Sequence, residues 1–472
     1  MQNKRDQLQA HQFVTGRLVT ALVRGEPDQQ DTPLRRAGTG TLIGAGLGVA
    51  LLLGYFVYGL VVRGGNTSWQ QPGAIIVAEE TGSRFLYLDG TLRPVANYAS
   101  ALLAAGEKAK VRSVSANSLR EVPHGRPIGI PDAPEVLPDP ARLSTAPWLV
   151  CAAFAANPDE TSRPAVALGL DTAWPTTQVP DEQAVLVRDV NGELHLVWRD
   201  RRLRIGGEAV LAALGYASVR PLPVDPAWLN AIEPGPALTS PQVPGRGSAG
   251  STVDGRPTVV GQIFQTRNAA GAEDYFLMRN DGLAPLSRTE LALVQGDPAT
   301  AQAYQGRPVQ PIVISAAGAA QAKRSATGAA PNLPGTPPQA VGDLGADGRT
   351  LCLRLTMDRA GPIARLVTVP RGRLDLSRAT PKADPRIADL VRVPPGSGAL
   401  IEAQPAPGVS SGTRFVLTDL GVKYPVPSAE VAALLGYGGA TPVPVPTGLL
   451  SFLPTGPALD PAAARTELAV PR

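Results

Sequence analysis

Histidine is nearly missing from this chain: His11, His124 and His195 are the three present among 472 residues. Metal centres are built from clustered His, Cys or carboxylates, and neither HExxH nor CxxC occurs, so no ligand set assembles from the sequence. GxxxxGK[ST] is absent too, and with it the backbone cradle and lysine that hold nucleotide phosphates. No Rossmann glycine fingerprint follows a strand. The net charge of +4 is small and dispersed, with no basic run interleaved with aromatics, which argues against a nucleic-acid partner. Aromatics make up 5% of the chain, whereas the 48 prolines and 50 glycines are each about double the usual share. That is a composition of short strands and turns.

What the sequence does contain is one long apolar run. Ala37–Val62 (AGTGTLIGAGLGVALLLGYFVYGLVV) has no charged residue, with Arg35 and Arg36 before it and Arg63 after it. As a helix rising about 1.5 Å per residue it reaches roughly 37 Å, enough to cross a hydrocarbon core of about 30 Å with some tilt. A buried core helix is the alternative, and an all-round apolar surface with basic flanks speaks against it. A cleaved leader fits less well, because its apolar core runs to roughly 7–15 residues and needs an Ala-x-Ala site. The run reads as a single uncleaved span. Lys4, Arg5, Arg17, Arg24, Arg35 and Arg36 crowd the N-terminal side, while Arg63 stands alone until Arg84. The positive-inside rule therefore places residues 1–36 in the cytoplasm and 63–472 outside. Tyr55, Phe56, Tyr58 and Trp69 are expected at the outer lipid–water boundary. Gly40, Gly44 and Gly48 form two GxxxG steps on one face, which predicts contact with a partner transmembrane helix; lipid-facing glycine is the alternative.

Residues 6–24 place Val14, Leu18 and Leu22 at i, i+4 and i+8, with Phe13 and Val19 beside them, an amphipathic helix ended by Gly25, Pro27 and Pro33. Its polar face has few lysines and arginines, so docking on a protein partner is expected over lying on the inner leaflet. Cys151 and Cys352 both fall on the outer side, where a pair is expected to be oxidised. Bridging them would close a loop of about 200 residues, worth roughly 5 kcal/mol by chain entropy. Two separate buried thiols are the alternative.

Outside the membrane one unit recurs: a strand, a hairpin with an aspartate or glycine turn, then an apolar helix. The hairpins and helices are RFLYLDGTLRPVANYASALLAAG from Arg84, LHLVWRDRRLRIGGEAVLAALGY from Leu194, YFLMRNDGLAPLSRTELALVQGD from Tyr275 and RFVLTDLGVKYPVPSAEVAALLGY from Arg414. Their spacing is irregular, roughly 110, 80 and 140 residues, so a simple stacked solenoid is not expected. Instead the chain is expected to run out through the units and back, around a central domain that brings the cysteines together. The predicted division is 1–36 cytoplasmic helix and linker, 37–62 span, 63–119 first repeat, 120–180 central domain, 181–220 second repeat and 221–310 third repeat with its preceding linker. It continues with 311–344 Ala/Pro-rich linker, 345–395 central domain again, 396–440 fourth repeat and 441–472 proline-rich strap. Within the linker, Ala316–Ala340 has the composition of a disordered segment. The fold class is α+β: a single-pass membrane protein with an elongated extracytoplasmic part.

Little chemistry emerges. Gly408–Gly412 (GVSSG) matches the GxSxG nucleophile pattern, but that motif needs a strand before the serine and a helix after it. Here a proline-rich loop leads in and a strand follows, so a plain turn is expected. His124 lies in PHGRPIGIPDAPEVLP without a matched nucleophile, and a surface or structural role is expected for it and for His195. No catalytic, cofactor or metal site is predicted.

Several stretches in collinear order carry a resemblance. They are AHQFVTGRLVTALVRGEP before the span, SRFLYLDGTLRPVANYASALL, HGRPIGIPDAPEVLP, APWLVCAA around Cys151, and the terminal VKYPVP, LLGYG and TPVPVPTGLLSFLPTGPALDPAAA. Together they resemble EccB, the membrane-anchored component of the actinobacterial type VII (ESX) secretion system, over nearly the whole chain. The resemblance implies a cytoplasmic helix, one span, a periplasmic central domain with four repeats, and Cys151 and Cys352 as the family's cysteine pair. It also implies assembly with the FtsK/SpoIIIE-like ATPase EccC and with EccD and EccE, in copies that associate with one another. Members of the family have been called ATPases; no nucleotide-binding residue carries over, and no enzyme activity is expected. The expected role is structural, bracing a protein-export channel. Two other classes compete: a peptidoglycan-binding module, for which Trp69, Trp148 and Trp198 offer stacking surfaces, and a hydrolase of ATP or peptide.

Overall fold

The computed structural model describes residues 4–24, 33–61, 68–156, 162–170, 173–328, 330, 332–342, 348–374, 376 and 384–469. Helix α1 spans Lys4–Arg24 and α2 spans Pro33–Val61, with proline at the first helical position, where its missing N–H costs nothing. The rest of the described chain forms five sheets and short helices.

Four sheets share one connection. In the first, Ala74–Ala78, Arg84–Leu88 and Thr91–Pro94 make an antiparallel meander, α3 (Tyr98–Ala105) follows, and Lys110–Val114 returns parallel to the first strand. Asp89 and Gly90, at φ +48° and +75°, supply the left-handed pair that a two-residue hairpin turn requires. Asn97 caps α3 by accepting the Ser100 N–H at 2.9 Å. The second sheet repeats the order with Gln183–Arg188, Leu194–Trp198, Arg201–Arg204, α4 (Glu208–Ala213) and Leu222–Pro223, and α5 (Pro226–Asn230) comes next. Its register lines up Leu186, Leu196 and Leu203 as one buried row.

The third sheet uses Ile263–Arg267, Glu273–Arg279, Gly282–Leu286, α6 (Arg288–Gln295) and Ile312–Val313, with α7 (Ala316–Gln321) beyond it. A reciprocal capping box opens α6: Ser287 Oγ accepts the Glu290 N–H at 3.1 Å, and the Glu290 carboxylate accepts the Ser287 N–H at 2.9 Å. Ala399–Gln404, Arg414–Leu417, Lys423–Val426, α8 (Ala429–Leu434) and Val443–Pro446 build the fourth, and α9 (Thr447–Leu450) and α10 (Pro461–Ala464) close the chain.

The fifth sheet sits between these units in the sequence. Its strands run in the order Leu390–Arg392, Ser162–Leu170, Trp148–Ala156, Arg349–Thr356, Ile363–Pro370, Thr177–Gln178. Alternation along Trp148–Ala156 sends Trp148, Val150 and Ala152 into one core and Leu149, Cys151 and Ala153 into another. The first core extends to Val185, Val187 and Val197 of the second sheet and to Ile401 and Val445 of the fourth. Trp228 of α5 is fully buried there and donates Nε1–H to the Val150 carbonyl at 3.0 Å. Another core joins α3 of the first unit to α8 of the fourth, together with Ile128, Ile130, Leu459 and Ala464. Cys352 lies directly opposite Cys151 in the register, and the two form a disulfide with S–S 2.04 Å.

Several boundaries fall elsewhere than expected. Ala316–Ala340, read as a disordered linker, contains α7, which Ser315 caps through Gly318 N–H while the Asp254 carboxylate holds both Ser315 N–H and Oγ–H at 2.7 Å. Gln339–Val341 adds to the second sheet beside Gln183, and the Tyr216 hydroxyl donates to Pro338 O at 2.8 Å. Alanine-rich composition misled because tertiary hydrogen bonds, not propensity, hold the segment. Leu222–Pro223 and α5, assigned to the third repeat's linker, close the second sheet and pack on the fifth. His124 and Ile128, assigned to the central domain, bridge Leu92 and Val95 of the first unit. Val443–Pro446, assigned to the strap, is a strand of the fourth sheet; its prolines are tolerated because it lies at the edge. Val62, the last residue of the predicted span, and Arg63, the charge that follows it, lie outside the described residues.

Candidate functional site

The N-terminal helices leave their apolar side chains exposed. Gly38–Tyr58 of α2 is long and apolar enough to cross a membrane, with mean hydropathy 1.9 and nothing of it buried against the protein itself. Its length of about 31 Å matches a hydrocarbon core of about 30 Å. Gly40, Gly44 and Gly48 drift by only about 40° per step, so they form one stripe. A Cβ added at any of the three would meet no atom within 4 Å. Tyr55, Phe56 and Tyr58 are exposed near the C-terminal end of the helix. Trp69 is not: at 1% exposure it is core, edge-on to Tyr87 at 5.6 Å, which corrects its placement at the lipid boundary. On α1, Phe13, Val14, Leu18 and Leu22 are all more than half exposed, and Arg17 lies 5.7 Å from the Phe13 ring centre.

The sheets present packed residues and turn positions where the sequence offered candidates for chemistry. His195 is 6% exposed, on the strand Leu194–Trp198 opposite Val187 and Arg204. Burial, reinforced by Arg202, pushes its pKa below the ordinary value, so the ring is neutral at pH 7. Its Nδ1 is buried without a hydrogen-bond partner among the described residues. His124 stands edge-on to Phe85 at 5.8 Å. Ser410 Oγ accepts the Gly412 N–H at 3.0 Å inside a turn that leads into Arg414–Leu417, so no helix follows the serine. Trp148 is 1% exposed, and Arg199 lies over Trp198 at 4.4 Å from the ring centre, leaving the three tryptophans poor platforms for a sugar. Among the described residues no group of three or more His, Cys, Asp or Glu is placed to hold a metal ion.

Three features escape sequence reasoning. Asp389 has a fully buried carboxylate that accepts from Arg163 at 2.7 Å and from the Val166 N–H at 2.9 Å, tying the loop before Leu390 to the fifth sheet. Lys423 is 7% exposed and donates Nζ–H to Leu453 O at 2.6 Å, and burial pulls its pKa down to about 8. The third is a groove of about 900 Å³ between α3 and α8, lined by Leu102, Leu137, Ala433 and Leu434 and bordered by Glu107, Asp139 and Glu430. Its only sequence signal is that Leu102 and Leu434 lie on helices whose other apolar positions already fill the core.

Among the described residues, one helix long and apolar enough to cross a membrane precedes a body of sheets closed by a disulfide, the layout of a membrane-anchored protein. The family follows from comparison with known proteins. The family model described as "Type VII secretion system ESX-1, transport TM domain B" matches residues 2–472, and the chain belongs to this EccB family. The chain is 29% identical to the ESX-3 secretion system ATPase EccB3 of Mycolicibacterium smegmatis, over 97% of its own length and 89% of that protein's. It is 26% identical to the ESX-1 secretion system ATPase EccB1 of Mycobacterium tuberculosis, over 98% and 94%. Among solved structures it is similar to the EccB3 dimer from the ESX-3 core complex, with TM-score 0.67 and 26% identity, covering 83% of this chain and 100% of that one. A chain of the intact ESX-5 inner membrane complex shares the fold at TM-score 0.69 and 23% identity, covering 100% and 97%.

Proposed function

We propose that the chain is a structural subunit of a type VII secretion inner-membrane complex, anchored by α2 and bracing the export channel from the periplasmic side. The family match over residues 2–472 carries this reading. Relatives solved within an ESX-5 inner membrane complex and as an EccB3 dimer support both assembly with other subunits and self-association. In this reading the basic residues before α2 keep residues 1–36 in the cytoplasm. Phe13, Val14, Leu18 and Leu22 dock on the neighbouring membrane subunits, of EccC, EccD and EccE type, and the Gly40/Gly44/Gly48 stripe receives another transmembrane helix. The four hairpin-helix units and the fifth sheet then act as repeats around a central domain.

Curated relatives carry the name ATPase. We assign this chain no enzymatic role, because its sequence offers no phosphate cradle, and energy is supplied by a motor partner.

The test is purification of the tagged full chain in mild detergent, with and without residues 4–24, and with Gly44→Leu. Removal of the helix is expected to abolish recovery of partner subunits, and Gly44→Leu to weaken it, with membrane insertion intact in both. Unchanged recovery from both variants refutes the reading.

A further inference from the structure

The groove between α3 and α8 is preformed. Its walls are backed by buried Leu103, Val431 and Leu435, and the Tyr437 hydroxyl pins the Pro138 carbonyl at 2.8 Å, fixing the loop that forms one edge. Such a groove needs no ordering to receive a ligand, which removes one of the usual costs of association. At about 900 Å³ it has room for a few side chains and not for a folded domain.

Its electrostatics select among occupants. Glu107, Asp139 and Glu430 are exposed, and neither Lys nor Arg is among the lining residues. Arg84 lies across the Tyr98 ring at the margin, 5.6 Å from its centre, and is paired with Glu135. In a chain with net charge +4, this acidic border is a local reversal. In an isologous dimer with the groove on its two-fold axis, two sets of three carboxylates would face each other, which disfavours pairing of groove with groove. Apolar walls and an acidic border instead match a segment with two or three aliphatic side chains flanked by Lys or Arg.

We propose that the groove between α3 and α8 is a docking site for a basic, apolar peptide segment of a partner protein. The segment's aliphatic side chains lie against Leu102, Leu137 and Leu434, and its cations face Glu107 and Glu430. The site joins the first and fourth units, so an occupied groove also ties the two ends of the extramembrane chain together.

The experiment uses the full chain in phosphatidylcholine nanodiscs and a fluorescent peptide of about three helical turns, with leucines on one face and lysines on both flanks. Fluorescence anisotropy is expected to report saturable binding. Ala433→Trp, which fills the groove from an exposed position, should weaken it by at least about tenfold. The E107Q/E430Q double variant should weaken it severalfold, and a peptide with glutamates in place of the lysines should not bind. Variants are accepted only if their thermal melt matches wild type. Equal affinity in Ala433→Trp, or equal binding of both peptides, overturns the proposal. Loss of self-association by Ala433→Trp in light scattering overturns it as well, by giving the groove to a second copy. None of these outcomes bears on recovery of the membrane complex, so the two readings fail separately.

Discussion

Replacing both cysteines, C151A/C352A, removes a link between residues 201 apart in sequence. With that separation the chain-entropy relation gives about 5 kcal/mol of stabilisation of the fifth sheet. This figure treats the intervening chain as random coil, and it is not one: the second and third units within the loop have cores of their own. If those units hold while the fifth sheet opens, the slack to be closed is short, and the value falls toward about 3 kcal/mol, as for a loop of about 15 residues. Trp148 and Trp228 are both fully buried beside the bridged strands and report on that sheet. In urea titrations of the detergent-solubilised full chain followed by tryptophan fluorescence, the double variant should unfold at least about 1 M earlier, for a slope of about 3 kcal/mol per molar. Midpoints that coincide refute the reasoning that the bridge restrains an opened fifth sheet.

Three further outcomes follow from polar side chains that tie distant parts of the chain together. Asp389→Ala strands the Val166 N–H and frees Arg163, and should cost about 2–3 kcal/mol in the same titration; a loss below about 0.5 kcal/mol counts against a structural role for the pair. Lys423 has a folded pKa of about 8, below its ordinary value, so the unfolded chain holds the proton more tightly. Stability from this group should therefore rise as pH climbs from about 8 toward 10, and Lys423→Met should flatten that rise; parallel pH profiles for the two proteins contradict it. Arg465 donates from Nε and an Nη to Ala104 O, at 3.1 and 3.0 Å, at the end of α3. Arg465→Ala should cost about 1 kcal/mol and speed protease clipping after Asp460, and unchanged clipping would show that the strap is held by other contacts.

The hairpin-helix units were legible because period-2 alternation and turns such as Asp89-Gly90 are local signals. The strand that closes each unit was not. Leu222–Pro223 and Ile312–Val313 are too short to show alternation, and Val443–Pro446 carries prolines that read as coil. Trp69 was misplaced because an aromatic near a span suits an interface and a core equally well until its neighbours are known. α7 was hidden by small residues whose order comes from Asp254, far away in sequence. The disulfide was anticipated from compartment and number of cysteines, whereas its position in a strand register could only come from the fold. The groove belongs to two units more than 300 residues apart, and the surplus apolar positions Leu102 and Leu434 do not show that those units meet.

In each hairpin-helix unit the closing strand lies parallel to the opening one, so the chain enters at one end of the sheet and leaves at the other. A tension carried along the chain would therefore load that strand pair in shear, straining all its hydrogen bonds together instead of peeling them one at a time. Ala74–Ala78 against Lys110–Val114, and Ile401–Gln404 against Val443–Pro446, present the longest such pairs. Leu222–Pro223 and Ile312–Val313 present the shortest. The second and third units lie inside the loop closed by Cys151–Cys352, so the disulfide carries the load past them, and the first and last units, packed on each other, would bear it as the mechanical clamps.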